Sequence, residues 1–277
     1  MTRRTAAYDP HVDPHIEPRR LLREHLIGAR LAGSVATSPG STLRNCGKLI
    51  AGEELYTFGL SDYRTATVRQ AVDAIRMVCG GDPGGAPDPD GPGWIDPEAT
   101  LMAIEVHRQR LAPLLQSGGG RVLIATGHPT GLLGHYSAIA RTLQSAGCQL
   151  LMPLDDVVIR HHEVSGRKRG VRYIDGVACV HDGASLLHSH RSVYMEAMLH
   201  ELAGTEGIDL VIGDHGMAGT AIEHGLPTLS IADVNDPALP LAQVRGRTDA
   251  VLPLDDNLAP RLFIPVTQAI LGTAVRV

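Results

Sequence analysis

The stretch "RVLIATG" at 121–127 constrains this chain most. It is short, continuously apolar and closed by a glycine. The run after it, "GLLGHYSAIARTLQSAG" (131–147), changes to helical spacing through Leu132, Leu133, Tyr136, Ile139, Ala140 and Leu143. A second apolar run, "CQLLMPL" (148–154), follows. A strand that is apolar at every position is covered on both faces. Strand, helix and strand in that order make a parallel βαβ unit. The signal returns in "IDLVIG" (208–213), "PTLSIAD" (227–233) and "AVLPL" (250–254), with a helix after the first and a closing helix in "LAPRLFIPVTQAILG" (258–272). Two Asp-Gly pairs in "VRYIDGVACVHDGASLLHSH" (171–190) are hairpin signals and predict an antiparallel excursion. The expected fold is α/β: a Rossmann-like three-layer arrangement around a mainly parallel sheet.

Ahead of the sheet the spacing predicts helices. Leu22, Leu26 and Ala29 mark one, "ATVRQAVDAIRMVCGG" (66–81) a second that stops at Gly80-Gly81, and Asp96-Pro97-Glu98 opens a third running to about Gln116. The Gly/Pro/Asp run "GGDPGGAPDPDGPG" (80–93) reads as a loop, a boundary or flap. The expected organisation is a flexible tail over 1–20 and a single domain over 21–277, its helical part at 21–117 and its sheet core at 118–277.

Aromatic residues make up 3% of the 277, so aliphatic side chains must fill the core. The formal net charge of -5 argues against a nucleic acid polymer as partner, because phosphate-backbone affinity needs clustered Lys and Arg. Cys46, Cys79, Cys148 and Cys179 form no CxxC pair and read as free thiols. The opening 1–20 has no apolar core of a secretory signal, and no stretch approaches the roughly 20 apolar residues of a membrane span. A cytoplasmic protein with no membrane partner is expected; the sequence leaves the oligomeric state open, a homo-oligomer included.

Ligands of an open parallel sheet bind outside the carboxyl ends of its strands. Reading past each expected strand selects Thr126, Gly127 and His128; Asp155 and Asp156; Asp214 and His215; Asp233, Asn235 and Asp236; and Asp255, Asp256 and Asn257. Acids are common in turns, but this many at one sheet rim would repel unless a cation offsets them or the clusters lie apart. In "LLHSHR" (186–191), an extended backbone would put His188 and His190 on one face. That pair suits a first-row divalent metal, or else a histidine couple bound within the fold. His188, His190, Asp214, His215 and Asp233 are the candidate ligands for a divalent ion (Mg, Mn or Zn). Thr126, Gly127, Thr130 and Gly131 lie where a strand turns into a helix, an arrangement that binds anions, with Asn235 and Asp255 as further substrate contacts. His128, Asp214 and Asp236 are the candidates for proton transfer, the alternative for His128 being a turn histidine bonded to backbone. No GxSxG, HEXXH or haloacid-dehalogenase aspartate motif is present.

The segments "GSVATSPGSTL" (33–43), "YTFGL" (56–60), "LIATGHPTGLL" (123–133), "LLHSHR", "GDHGMAG" (213–219), "IADVNDPAL" (231–239) and "VLPLDDN" (251–257) together resemble a family of actinobacterial phosphatases. The likeness runs from about Leu21 to Leu271. It implies an enzyme that removes a phosphoryl group, and it suits the crevice read from the residues. The expectation is a metal-assisted phosphomonoester hydrolase acting on a small phosphorylated metabolite, a sugar phosphate or nucleoside monophosphate. An isomerase or lyase using the same pocket, or a non-catalytic sugar-phosphate or nucleotide binder, are the alternatives.

Overall fold

The computed structural model of the chain describes residues 16–159, 169–202 and 207–272. Helix α1 (Ile16–Gly28) starts inside the expected tail, so residues 16–20 are helical. His11, His15, His161 and His162, and the basic run after Ser165, lie mostly or wholly outside the described residues. Strands β1 (Gly33–Val35) and β2 (Gly93–Ile95) form a small antiparallel sheet. Between them come α2 (Pro39–Ile50), α3 (Glu54–Thr57) and α4 (Val68–Cys79). Helix α4 has a capping box: Thr67 Oγ1 accepts from the Gln70 N–H while the Gln70 side chain accepts from the Thr67 N–H. Its end is Gly80, at φ 74, where a side chain would be strained. Helix α5 (Pro97–Ser117) begins as the sequence predicts, with the Asp96 carboxylate accepting from the Glu98 N–H.

The sheet core follows: β3 (Arg121–Thr126), α6 (Pro129–Ser145), β4 (Gln149–Leu150), β5 (Gly170–Ile174), β6 (Val177–His181), α7 (Val193–Glu201), β7 (Leu210–Asp214), α8 (His215–Glu223), β8 (Thr228–Ala232), α9 (Ala238–Val244), β9 (Val251–Pro253) and α10 (Ile264–Ile270). The strand order is β5-β6-β3-β7-β8-β9, with β4 alongside the start of β3. Among the described strands of this sheet, the pairings are parallel except β5–β6, whose turn is Asp175-Gly176 at φ 49 and 81. Positive φ at both central positions is what a tight hairpin demands, and Asp-Gly supplies it. The mainly parallel α/β sheet and the antiparallel excursion are therefore as expected.

Two details differ. The run "CQLLMPL" pairs only at Gln149–Leu150, because Leu154 and Asp156 take positive φ and turn the chain away. Asp155 and Asp156 consequently leave the strand-exit rim. Asp155 accepts from the Tyr173 N–H (3.0 Å) and Asp156 from Arg172 (2.7 Å), so both serve the hairpin. Helix α9 was not anticipated, since Pro237 and Pro240 obscure its periodicity; prolines are tolerated in a first turn, where the N–H needs no helical partner.

The sheet separates two apolar layers. Val122, Ile124 and Ile212 face one, together with α5, α6 and the N-terminal helices; Leu123, Ala125 and Val211 face the other, with Tyr194, Met195 and Met198 of α7. This alternation explains why β3 and β7 read as unbroken apolar runs. The four cysteines are free and buried. Among the described residues no helix is long and apolar enough to cross a membrane.

Candidate functional site

Strand β3 has β6 on one edge and β7 on the other, so connections leave it in both directions. Such a switch point opens a crevice at the carboxyl ends of the strands. Thr126, Gly127 and His128 leave β3 there, beside Asp214 and His215 at the end of β7. Asp233 and Asp236 follow β8, and Asp255 and Asp256 follow β9.

Asp214 organises the floor. Its Oδ1 accepts from the Gly127 N–H at 2.8 Å and from His215 Nδ1 at 2.7 Å. A carboxylate only accepts, so Nδ1 carries the proton and Nε2 of His215 is turned toward Asp236 Oδ2 (3.6 Å) and Asp256 Oδ2 (3.8 Å). His215 holds φ 46, a costly conformation for a non-glycine residue, at the first position of α8.

The "LLHSHR" segment lies across the β3 exit. Ser189 N–H donates to Gly127 O (2.8 Å), and a Cβ on Gly127 would stand 2.2 Å from Ser189 O. A Cβ on Gly216 would meet His190 O and Arg191 O at 2.5 Å. Two glycines thus let the segment approach. His190 Nδ1 donates to Leu55 O (3.0 Å), which leaves Nε2 as its lone-pair nitrogen, 3.0 Å from His188 Nε2. Two nitrogens bound to one ion at roughly 2.0–2.1 Å lie about 3.3 Å apart in tetrahedral geometry. Phe58, in left-handed backbone at the end of α3, sets its ring edge-on to His190 and His215 (centroids 5.4 and 5.3 Å apart).

His128 is buried and stacks flat on His188, centroids 4.3 Å apart. Its Nδ1 lies 3.3 Å from Asp256 Oδ1, within ion-pair range but without hydrogen-bond geometry. Asp233 Oδ2 accepts from Thr37 Oγ1 at 2.5 Å and its Oδ1 from the Val234 N–H at 2.6 Å. The Asp255 N–H donates to Leu31 O, and its Oδ1 accepts from the Asn257 N–H.

Electrostatics follow from this crowding. Burial lowers His215, but Asp236, Asp214 and Asp256 outweigh it and lift the imidazole to about 10. A proton on Nε2 and a divalent ion therefore compete for one place. Burial raises Asp236 to about 6, and burial with Asp256 and Asp255 holds Asp233 well above the usual carboxylate range. Burial would raise Asp256 too, yet the pull of His128 and His215 takes it below that range. Burial, then the neighbouring imidazoles, lowers His188 to about 4 and His190 to about 3, so both are neutral donors near neutrality.

Among the described residues, donor atoms within 4.8 Å of one another form three sets: His188, His190 and His215; His215, Asp236 and Asp256; and Asp233, Asp255 and Asp256. Nitrogen and carboxylate donors of this kind fit a divalent ion, and Asp256 Oδ2, buried with no hydrogen-bond partner, fits one as well. Of the expected ligands, His188, His190 and His215 meet, Asp233 belongs to the carboxylate set, and Asp214 stands behind His215 as its orienter.

The expected anion cradle is built differently. The Gly127 N–H is spent on Asp214 and the His128 N–H on Thr126 Oγ1 (2.9 Å), Pro129 has none, and Gly131 packs against Asp256 O. The N–H groups of Gly127 and His128 are thus engaged within the protein, and Thr130 is exposed at the start of α6. Asn235 meets Asn45, whose Nδ2 donates to its carbonyl (2.9 Å). The sequence marks Asp256 only as a strand-exit neighbour, and Thr37 and Phe58 only as members of the quoted family segments, because their partners are far away in the chain.

The α/β fold thus carries, at its switch point, a histidine–carboxylate cluster whose donor atoms could hold a metal ion. The family comparison agrees: the family model described as Phosphatase matches residues 17–277, and the chain belongs to that family. It is also 37% identical over 270 residues to a Streptomyces coelicolor protein named as a phosphatase, covering 94% of this chain and 98% of that protein.

Proposed function

We propose that the protein is a metal-assisted phosphomonoester hydrolase whose substrate is a small phosphorylated metabolite, a sugar phosphate or a nucleoside monophosphate. The observation that carries this reading is the convergence of His188, His190 and His215 with buried Asp236 and Asp256 in a chain of a phosphatase family. A divalent ion held there supplies Lewis acidity toward a phosphoryl oxygen and toward a water. The chain's own groups do the rest. His190 and His215 are held in one tautomer by Leu55 O and Asp214, so their Nε2 atoms are preorganised. Asp236, lifted to about 6, is suited to take a proton from water. His128, set against Asp256, is suited to return one to the leaving oxygen.

The substrate's size has support beside the imidazoles. A cavity of about 400 Å³ is lined by Leu55, Tyr56, Arg169, His188, Ser189, His190 and Arg191. That volume suits a small metabolite. Phosphate release from a panel of sugar phosphates and nucleoside monophosphates, before and after chelation and with each divalent ion restored, tests the reading. Turnover that vanishes with chelator and returns with metal is expected. No release with any added ion would overturn it, and phosphate that stays on an altered product would point to an isomerase or lyase.

A further inference from the structure

We infer that the site is built for two divalent cations in chemically unlike positions, a nitrogen-donor position at its open side and a carboxylate-only position on its buried side. The inference rests on the metal-assisted reading above and deepens it. Its basis is that two of the three donor sets share no residue: His188, His190 and His215 on one side, Asp233, Asp255 and Asp256 on the other. Both can be filled at once without a ligand in common. The third set takes His215 from the first and Asp256 from the second, so the two positions are neighbours, with Asp236 and Asp256 between them.

Charge and burial point the same way. Asp214, Asp233, Asp236, Asp255 and Asp256 are each no more than 5% exposed. Among the described residues, the ion-pair partners within 4.0 Å of these carboxylates are His128 and His215. Two imidazolium charges cannot balance five carboxylates in a dry site, where an unpaired charge is costly. Protons can meet part of the deficit, but they do not explain the buried Asp256 Oδ2. That oxygen has no hydrogen-bond partner, and His215 Nε2, at 3.8 Å, is too far to donate. A carboxylate with one oxygen near His128 and the other aimed between two donor sets is placed to bridge them.

The two positions differ in preference. Three imidazoles favour zinc, iron or copper and accept manganese, whereas an all-oxygen set favours magnesium, calcium or manganese. Thr37 Oγ1 and the Val234 N–H bind Asp233, and the Asn257 N–H binds Asp255, so the carboxylate position has its own supporting bonds. These bonds are independent of those holding the imidazoles.

Manganese alone is the probe, because it suits both positions and is visible by electron paramagnetic resonance. The full-length protein is stripped with chelator, dialysed against excess Mn²⁺ and assayed for metal per chain and for its spectrum. The expected result is two Mn²⁺ per chain with an exchange-coupled signal. The double variant His188→Ala/His190→Ala, and separately Asp255→Asn, should each retain one ion and show the six-line pattern of an isolated Mn²⁺. Asp233→Asn, checked with the others by circular dichroism, repeats the second loss should Asp255→Asn fail to fold. Wild-type saturation at one Mn²⁺, or two ions persisting in both classes of variant, would overturn the inference. Saturation at one ion with metal-dependent phosphate release would leave the proposed function standing and remove only the second position. No bound ion and no release would end both.

Discussion

Asp214 and His215, adjacent in the chain, share a 2.7 Å hydrogen bond that turns the imidazole's free nitrogen toward Asp236 and Asp256. Neighbouring side chains in extended backbone point to opposite faces. Here the left-handed backbone of His215, at the junction of β7 and α8, brings the two side chains together. The strain belongs to the site.

Removing this orienter should weaken metal binding without removing a direct ligand. Loss of a carboxylate behind a ligating histidine costs roughly 10–100-fold in affinity. Asp214→Ala is expected to fall in that range, measured by titration calorimetry on folded protein. Asp214→Asn, which keeps an acceptor for Gly127 and His215, should fall less. Equal affinity in all three proteins would remove Asp214 from this role.

Gly127 tests the approach of the His188–His190 segment. A methyl there would collide with Ser189 O at 2.2 Å, a backbone atom that can yield only by moving the segment. Gly127→Ala should lower both metal affinity and the midpoint of thermal unfolding. Gly134→Ala is the matching control on α6, since the nearest atom to its Cβ is Pro260 Cβ at 3.7 Å. That change should be neutral or stabilising by about 0.5–1 kcal/mol. Unaltered binding and stability in Gly127→Ala would show that the segment is held some other way.

His128 lies outside all three donor sets, so its loss should separate chemistry from metal content. If it transfers the proton, His128→Gln should lower kcat by about 10²-fold or more. Bound metal should stay within error of wild type. Full activity would reduce His128 to a support for Asp256.

Two histidines remote from the crevice predict an acid limb of stability. His107, whose Nε2 donates to Ala250 O, is lowered by burial to about 4, and His135, whose Nδ1 donates to Thr267 Oγ1, to about 3. Both are buried neutral, so the unfolded chain binds their protons more readily than the native one. Their contribution is complete above the unfolded value of about 6.5 and falls with pH below it, by up to ~1.4 kcal/mol per pH unit for each histidine. Denaturant titrations between pH 7 and 4 should show that slope, made shallower by His107→Gln, which keeps a donor for Ala250. A flat profile in wild type would contradict it.

Local pattern disclosed what depends on neighbours in the chain. The continuous apolar run of β3 announced a buried parallel strand, the Asp175-Gly176 pair a hairpin, and Asp96-Pro97-Glu98 the start of α5. The same reading carried the site as far as the rule about carboxyl ends allowed. It does not extend to Asp155 and Asp156, where two positive-φ residues end the pairing, nor to the bonds within the Gly127–Gly131 turn, where Asp214 and Thr126 take the Gly127 and His128 N–H groups.

By itself, then, the amino-acid order determined the α/β architecture and which strand exits carry acids and imidazoles, because periodicity and turn chemistry act over a few residues. Only the tertiary structure decided which of those groups share a crevice and what each one does there. Thr37 reaches Asp233, Leu55 O fixes His190, and Asp256 falls between two donor sets through contacts between distant parts of the chain. Hydrogen-bond partnership and ion reach are set by distances of a few ångströms in space, which spacing along a sequence does not encode.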